Sequence, residues 1–231
     1  MGYLINILET NNIPYIIIKK KYKRVSAKYN VNSVLEIRQP RNFPDIEIIK
    51  FIEKNIDWII EHKPNKPLPH DSYRDNDSYF LLGQEYIIRI VYSNYETVLL
   101  RDNIIFIHTA NDNHIPKLLD KFRYEQAEIV FNEILYRSFI SMQEHLVKYP
   151  SLIIKTSKSR WGCCYTNENR IMLNIALIHV PFTLIEYVIF HELVHFVYPN
   201  HSRDFHDLLK KYVYDERVKH KQLKNYCIIY K

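Results

Sequence analysis

The residues best suited to chemistry form a short run in the C-terminal third of the chain. This run, His191-Glu192-Leu193-Val194-His195, has the spacing H-E-x-x-H. On an α-helix, residues four apart project from nearly the same face, so the two imidazoles can reach one metal ion. Glu192 projects beside that face and can reach a water on the metal without becoming a ligand. The run therefore predicts a zinc site with a general base next to it.

A third histidine follows at a distance that a turn can span. His201 lies six residues after His195, and a proline and an asparagine just before His201 should end or bend the helix. Three protein ligands leave a fourth position for water, as a catalytic zinc site requires. We expect His191, His195 and His201 to bind Zn²⁺, with Glu192 as general base.

Two other arrangements of the site are compatible with parts of the pattern. A later acidic residue, Glu216 or Asp215, is an alternative third ligand, although either can equally be a surface charge paired with a basic neighbour. The spacing H-E-x-x-H-x5-H also occurs in metzincins, which carry a glycine three residues after the second histidine and a methionine downstream. Here that position is Tyr198 and the last methionine is Met172, so a metzincin is disfavoured.

The elements around this run have recognisable boundaries. Thr183 and Glu186 have the spacing of a capping box and predict the start of the motif helix. Ser202 is placed to cap the next helix, RDFHDLLKKYV. Upstream, SLIIKTS and RIMLNIALI are typical of strands, and the apolar periodicity of residues 116–149 predicts a long helix.

Short β-branched and aromatic runs dominate the N-terminal half. Those within residues 13–38 predict an antiparallel meander, and residues 45–62 predict a helix that begins at Asp45. A proline-rich stretch over residues 63–78 predicts a linker. Four strand-like runs follow it, and Gly83 is expected to supply a tight turn or a bulge there.

Together these patterns predict an α+β fold in two parts. Residues 1–112 are expected to form an N-terminal antiparallel β-rich part that contains the helix of residues 45–62. Residues 113–231 are expected to form the metal-binding catalytic part with the H-E-x-x-H helix.

Composition narrows the class of protein. The chain has 231 residues, of which 47% are hydrophobic and 25% charged, values typical of a folded globular protein. We find no signal peptide pattern and no apolar run of the roughly 20 residues needed to span a bilayer. Two of the three cysteines, Cys163 and Cys164, are adjacent, which argues against a disulfide framework. A soluble, cytoplasmic protein without a membrane partner is expected.

The net charge of +6 is concentrated most densely in the run KKKYKR, from Lys19 to Arg24. Such a run is usually a solvated strand face or edge. The functional interpretation is attraction to phosphate, in a nucleotide or a nucleic acid. The run lacks interleaved aromatic residues, so a nucleic-acid partner is not indicated beyond the net positive charge.

Several blocks of the sequence resemble the YgjP-like metal-dependent hydrolases, a zincin group commonly described as metallopeptidases. The blocks are SRWG at Ser159 to Gly162, LN at Leu173 and Asn174, EYVIFHELVH at Glu186 to His195, and NHSRDF at Asn200 to Phe205. The resemblance extends upstream to IRQP, IDWI and FLLG. It implies a zincin-like catalytic core, zinc on the three histidines, and a catalytic Glu192.

The chain departs from the family pattern at two positions near the motif. Cys163 stands where serine is usual, which implies a small packing change. His206 stands where tryptophan is usual. We expect His206 to fill the tryptophan position, while opportunistic metal binding by its imidazole is the alternative.

Two further residues are candidates for substrate binding. Arg160 can bind a carboxylate, a phosphate or a developing oxyanion, or it can be a structural arginine within the sheet. Asn174 lies on a strand just before the motif helix, where an edge strand can pair with an extended peptide, so it is predicted to orient substrate. A structural hydrogen-bonding role for Asn174 is the alternative.

The function favoured by the sequence is that of a zinc-dependent hydrolase, specifically a metallopeptidase with a peptide or protein substrate. A nucleotide hydrolase that cleaves a phosphoanhydride with the same metal centre is the main alternative. A non-catalytic zinc-binding module is the third. Glu192 argues against that module, because a purely structural site has no use for a general base.

Overall fold

The computed structural model describes residues 7–11, 13–29, 34–61, 63 and 73–226. Its fold is α+β, as the sequence predicts. Contacts divide the chain into two compact units, with Met1–Leu68 in the first and Pro69–Leu223 in the second, while the residues from Lys224 onward are shared between the two units. The division at residue 112 expected from the sequence differs from this one, because the strands between residues 78 and 109 belong to the second unit.

The first unit contains a three-stranded sheet of order β1-β3-β2, with β1 at Tyr15–Lys20, β2 at Ser26–Tyr29 and β3 at Leu35–Pro40. The predicted antiparallel meander is wrong for β1, which pairs with β3 in parallel, whereas β2 pairs with β3 antiparallel. Leu35 and Ile37 of the central strand β3 are fully buried. Buried and partly exposed residues alternate along this strand, as expected where one face of a sheet packs against the core.

Helix α1, Asp45–Glu61, supplies the other half of this core. Ile48, Ile52 and Ile59 recur on one face of the helix and are buried in the same apolar cluster as Leu35 and Ile37 of β3. The helix predicted over residues 45–62 is therefore confirmed for its described part. Within the expected linker at residues 63–78, residues 64–72 lie outside the described residues.

The basic run lies at the end of β1 and in the residues that follow. All five cations from Lys19 to Arg24 are exposed, as expected of a solvated strand end. Attraction of this run to phosphate stays a prediction.

The second unit begins with a four-stranded sheet of order β4-β5-β7-β6. Its strands are β4 at Ser78–Leu81, β5 at Gln84–Tyr92, β6 at Thr97–Arg101 and β7 at Ile104–Thr109. β5 and β7 are parallel, and the other two pairings are antiparallel.

The hairpin between β4 and β5 turns at two residues with positive φ. Leu82 has a φ of 52° and Gly83 one of 77°, as a two-residue turn that follows the twist of a hairpin requires. A Cβ on Gly83 would lie 2.8 Å from the Cα of Pro181, which directly precedes the motif helix. The predicted turn at Gly83 is confirmed, and the glycine also permits this close packing.

A long helix and a third sheet complete the support of the site. Helix α2, Ile115–Ser141, ends before the predicted residue 149, because the chain turns there and buries Met142 and Leu146. The third sheet has the order β8-β10-β9, with β8 at Ser151–Lys155, β9 at Gly162–Tyr165 and β10 at Arg170–Asn174. Strand β9 lies between the two runs that the sequence predicts as strands, in a segment for which it predicts no strand.

Helix α3, Phe182–Val194, carries the H-E-x-x-H run and is buried over most of its length. The predicted capping box is wrong: no side chain caps this helix. The carbonyl of Pro181 instead accepts hydrogen bonds from the amides of Leu184 and Ile185, so the helix begins one residue before Thr183.

Two short helices follow, α4 at Arg203–Tyr212 and α5 at Glu216–Lys224. Ser202 caps α4 as predicted, since its Oγ accepts a hydrogen bond from the amide of Phe205 at 3.3 Å. Of the helices in the described part of the chain, none combines the length and the apolar character that crossing a membrane would require.

Candidate metal centre

Three histidines converge at the end of α3. His191 and His195 project from the helix, and His201 returns from the segment before α4, so that one nitrogen of each lies within 4.8 Å of the others. The Nε2 atoms of His191 and His201 are 3.0 Å apart. The structure thus brings together the three residues that the sequence predicts as metal ligands.

The ring of Phe205 packs against all three imidazoles. This ring is fully buried, and its centroid lies 5.0 Å from that of His191, 4.7 Å from that of His195 and 4.8 Å from that of His201. The cap at Ser202 begins α4 directly after His201, and Phe205 lies in the first turn of that helix. The sequence does not indicate this role of Phe205, because its contacts are set by the packing of α4 on α3.

Burial favours the neutral form of two of these imidazoles. Burial, together with smaller contributions from the neighbouring histidines, lowers the pKa of His191 to about 3. Burial also lowers the pKa of His195. Nδ1 of His195 donates to the carbonyl of Tyr198 at 3.2 Å, which leaves the lone pair of its Nε2 for a metal. A neutral imidazole is the form that binds a metal ion.

These side chains fit a divalent metal ion. Nitrogens bound at 2.0–2.1 Å to a tetrahedral zinc ion stand about 3.3 Å apart, which is close to the 3.0 Å between His191 and His201. Within the described part of the chain, this is the one group of histidine, cysteine or acidic side chains with suitable spacing.

Glu192 is buried beside the cluster, with an exposed fraction of 6%. Its carboxylate lies near the backbone of Cys164 on β9. Burial raises the pKa of Glu192 to about 8, against the smaller opposing effects of the Cys164 backbone amide and of the positive charge of Arg160. A raised pKa makes the ionised carboxylate a stronger base than a solvated one.

Gly162 makes room for this carboxylate. A Cβ at Gly162 would lie 2.6 Å from Oε1 of Glu192 and 2.8 Å from its Cγ, distances that real Cβ atoms do not adopt. Any larger residue would therefore displace Glu192 from β9. The need for this space explains why the SRWG block ends in glycine, which the sequence alone does not indicate.

A family model for the YgjP-like metallopeptidase domain matches residues 23–226, which is most of the chain. The chain belongs to the YgjP-like metallopeptidase family. It is therefore a metal-dependent hydrolase, and the histidine cluster is its candidate metal centre.

Similarity to other known proteins is more limited. The metallopeptidase zymogen jannalysin of Methanocaldococcus jannaschii, a solved crystal structure, is 24% identical over 41% of this chain and 91% of its own, with a TM-score of 0.36. No curated protein matches the chain.

A cavity of about 220 Å³ adjoins Glu192 in this YgjP-like domain. Arg160, Trp161 and Gly162 line one side, and His191 and Glu192 line the other. The Arg160 side chain is exposed, and its Nη1 lies 3.7 Å from Sγ of Cys163. The structure thus brings the predicted substrate-binding arginine to the candidate site.

Asn174 lies elsewhere, although it belongs to a YgjP-like sequence block. It is fully buried and lines neither this cavity nor the larger one described below. Its Nδ2 donates to the carbonyls of Ser157 and Arg160 at 2.8 and 2.9 Å, and its Oδ1 accepts from the amide of Ala176 at 3.1 Å. These bonds hold the loop that carries Arg160, which matches the alternative structural role.

A second cavity, of about 750 Å³, lies on the His201 side of the centre. Within it, Nδ1 of His206 pairs with Oε1 of Glu216 at 2.6 Å, and Glu216 is buried. The carboxylate of Glu216 therefore engages His206 rather than the three-imidazole cluster. The ring centroid of His206 lies 6.3 Å from that of His201.

Proposed function

We propose that this protein is a zinc-dependent metallopeptidase whose zinc ligands are His191, His195 and His201. The observation that carries the proposal is the position of the buried Glu192 carboxylate beside three converging imidazole nitrogens. A zinc ion held by three imidazoles lowers the pKa of a coordinated water and polarises a carbonyl oxygen.

Glu192 is the proposed general base. Its carboxylate takes a proton from the attacking water as the water oxygen adds to the carbonyl carbon of the scissile bond, and then delivers that proton to the leaving nitrogen. The close approach of Glu192 to Gly162 places the carboxylate directly against β9, so it needs little reorganisation during the reaction.

Hydrolysis of a labelled unfolded protein tests the function directly. We expect zinc-loaded protein to cleave fluorescently labelled casein, and 1,10-phenanthroline to abolish the cleavage because it removes the metal. Gel analysis and mass spectrometry of the products give the cut positions. Absence of cleavage by protein that retains its zinc would contradict the peptidase proposal.

Arg160 is proposed to bind a carboxylate or carbonyl oxygen of the substrate. The Arg160→Lys variant keeps the charge but loses the planar fork of donors, so kcat/KM should fall about tenfold while the melting temperature stays unchanged. Arg89→Lys is the matched control, because Arg89 is also exposed but lies on β5 and pairs with Asp75. A large fall in melting temperature with unchanged activity would instead assign Arg160 to the fold.

One observation favours a second candidate function, a zinc-dependent phosphoanhydride hydrolase that acts on nucleotides. Arg203, Lys210 and Arg217 line the cavity of about 750 Å³ beside His201 and can attract phosphate groups. Asp207 offsets part of this charge, since it lies 3.5 Å from Arg203 and 3.8 Å from Lys210. Release of phosphate or pyrophosphate from nucleoside triphosphates, without casein cleavage, would favour this function.

A further inference from the structure

A buried tyrosine and a histidine form a hydrogen-bonded pair beside the metal centre. Tyr187 precedes His191 by four residues on α3, so the two side chains share one face of the helix. The ring centroids of Tyr187 and His191 are 6.0 Å apart. From the other side, His220 of α5 approaches Tyr187, and its Nδ1 lies 3.2 Å from the tyrosine hydroxyl.

The pair stands where the two cavities of the site meet. The cavity beside Glu192 and the cavity beside His201 share three lining residues, namely Tyr187, His191 and His220. A substrate whose scissile bond lies at the metal centre, with its flanking residues in the two cavities, must therefore pass His220. Tyr187 is only 3% exposed, whereas the imidazole of His220 is exposed.

The hydrogen bond couples the tautomer of His220 to the Tyr187 hydroxyl. A phenol hydroxyl can donate or accept, and when it donates, Nδ1 of His220 is the acceptor. The proton of a neutral imidazole is then on Nε2, and Nε2–H is a donor. In this arrangement Tyr187 positions His220 in the tautomer that a hydrogen-bond donor to substrate needs.

We propose that His220 is a further catalytic residue, which donates a hydrogen bond from Nε2 to the substrate oxygen that gains negative charge during hydrolysis, with Tyr187 as its positioning residue. No proton is transferred in this step. The hydrogen bond from Nε2 strengthens as the substrate oxygen becomes an oxyanion and weakens when the carbonyl re-forms. This inference rests on the proposed metallopeptidase function. It adds a donor from α5 to a site otherwise built from β9, α3 and the segment before α4.

Kinetics of three variants test the role. In His220→Ala, kcat on labelled casein should fall about 100-fold, as for loss of one oxyanion donor, while KM changes little. His220→Gln, which keeps an N–H donor, should recover part of that loss. Tyr187→Phe keeps the packed ring and should lower kcat less than His220→Ala does. Val218→Ala on α5 and Tyr136→Phe on α2 are matched controls at exposed positions outside both cavities.

A readout independent of activity follows from the tautomer. Long-range proton–nitrogen spectra of zinc-loaded protein, recorded at a pH of about 8 where an ordinary imidazole is neutral, should show His220 protonated at Nε2. Tyr187→Phe should convert this signal to a mixture of tautomers. Protonation at Nδ1 in the wild type would overturn the proposed orientation of His220.

The outcomes separate this inference from the peptidase proposal. Wild-type kcat in His220→Ala would overturn the role of His220 alone. Loss of zinc or a large fall in melting temperature in both His220 variants would also overturn the catalytic role, because it would show that His220 stabilises the fold. A wild-type protein that retains zinc yet cleaves no casein would count against the peptidase function and the role of His220 together.

Discussion

Replacement of His201 by alanine should remove most of the bound metal from the protein. Loss of an outer-shell partner of a metal ligand costs about 10–100-fold in affinity, so loss of one of three direct ligands should cost more than about 100-fold. After dialysis, elemental analysis should find about one zinc per wild-type chain and far less than one per His201→Ala chain. His201 is exposed and follows α3, so the variant should fold.

Two neighbouring substitutions are the matched controls for this experiment. His206→Ala and Glu216→Ala remove the hydrogen bond between these two residues beside the centre, but neither residue belongs to the group of three converging nitrogens. Both should retain about one zinc per chain. Full zinc in His201→Ala together with its loss in Glu216→Ala would show that the third ligand is acidic and that the proposed set is wrong.

Replacement of Glu192 by glutamine should leave the metal in place and remove the chemistry. General base catalysis contributes about 10²–10⁴-fold, so kcat on labelled casein should fall by that factor. Glutamine has nearly the same shape as glutamate and fits beside Gly162. Zinc content and melting temperature should therefore match those of the wild type.

Glu186→Gln is the matched control on the same helix. Glu186 is partly exposed, caps nothing, and lines neither cavity, so its substitution should leave kcat unchanged. Retention of at least half of the wild-type kcat in Glu192→Gln would exclude Glu192 as the base. Equal losses in the two variants would point to a general effect of charge on α3.

The comparison of these substitutions separates binding of the metal from its use. His201→Ala should lower the zinc content, and Glu192→Gln should lower kcat at constant zinc content. His220→Ala should lower kcat because it removes the hydrogen bond to the oxyanion. A structural zinc module would show only the first effect. The three together would establish a hydrolytic centre with ligands, a base and a donor on distinct elements.

Local features of the sequence were enough to predict the candidate metal centre. The four-residue spacing of His191 and His195 places both on one helix face by helical geometry alone, and the short segment to His201 confines the third imidazole to the same region. The cap at Ser202 and the helix over residues 45–61 also depend on neighbours in the sequence. Such features can be predicted from the sequence because the groups involved are only a few residues apart.

Other properties required the tertiary structure, because they arise from contacts between residues far apart in the chain. The parallel pairing of β1 with β3, the course of β9 past Glu192, and the need for glycine at position 162 have no local signature. Asn174 was predicted to orient substrate, yet packing buries it under the Arg160 loop. Likewise Tyr187 and His220 are 33 residues apart, and only the approach of α5 to α3 joins them beside the metal centre.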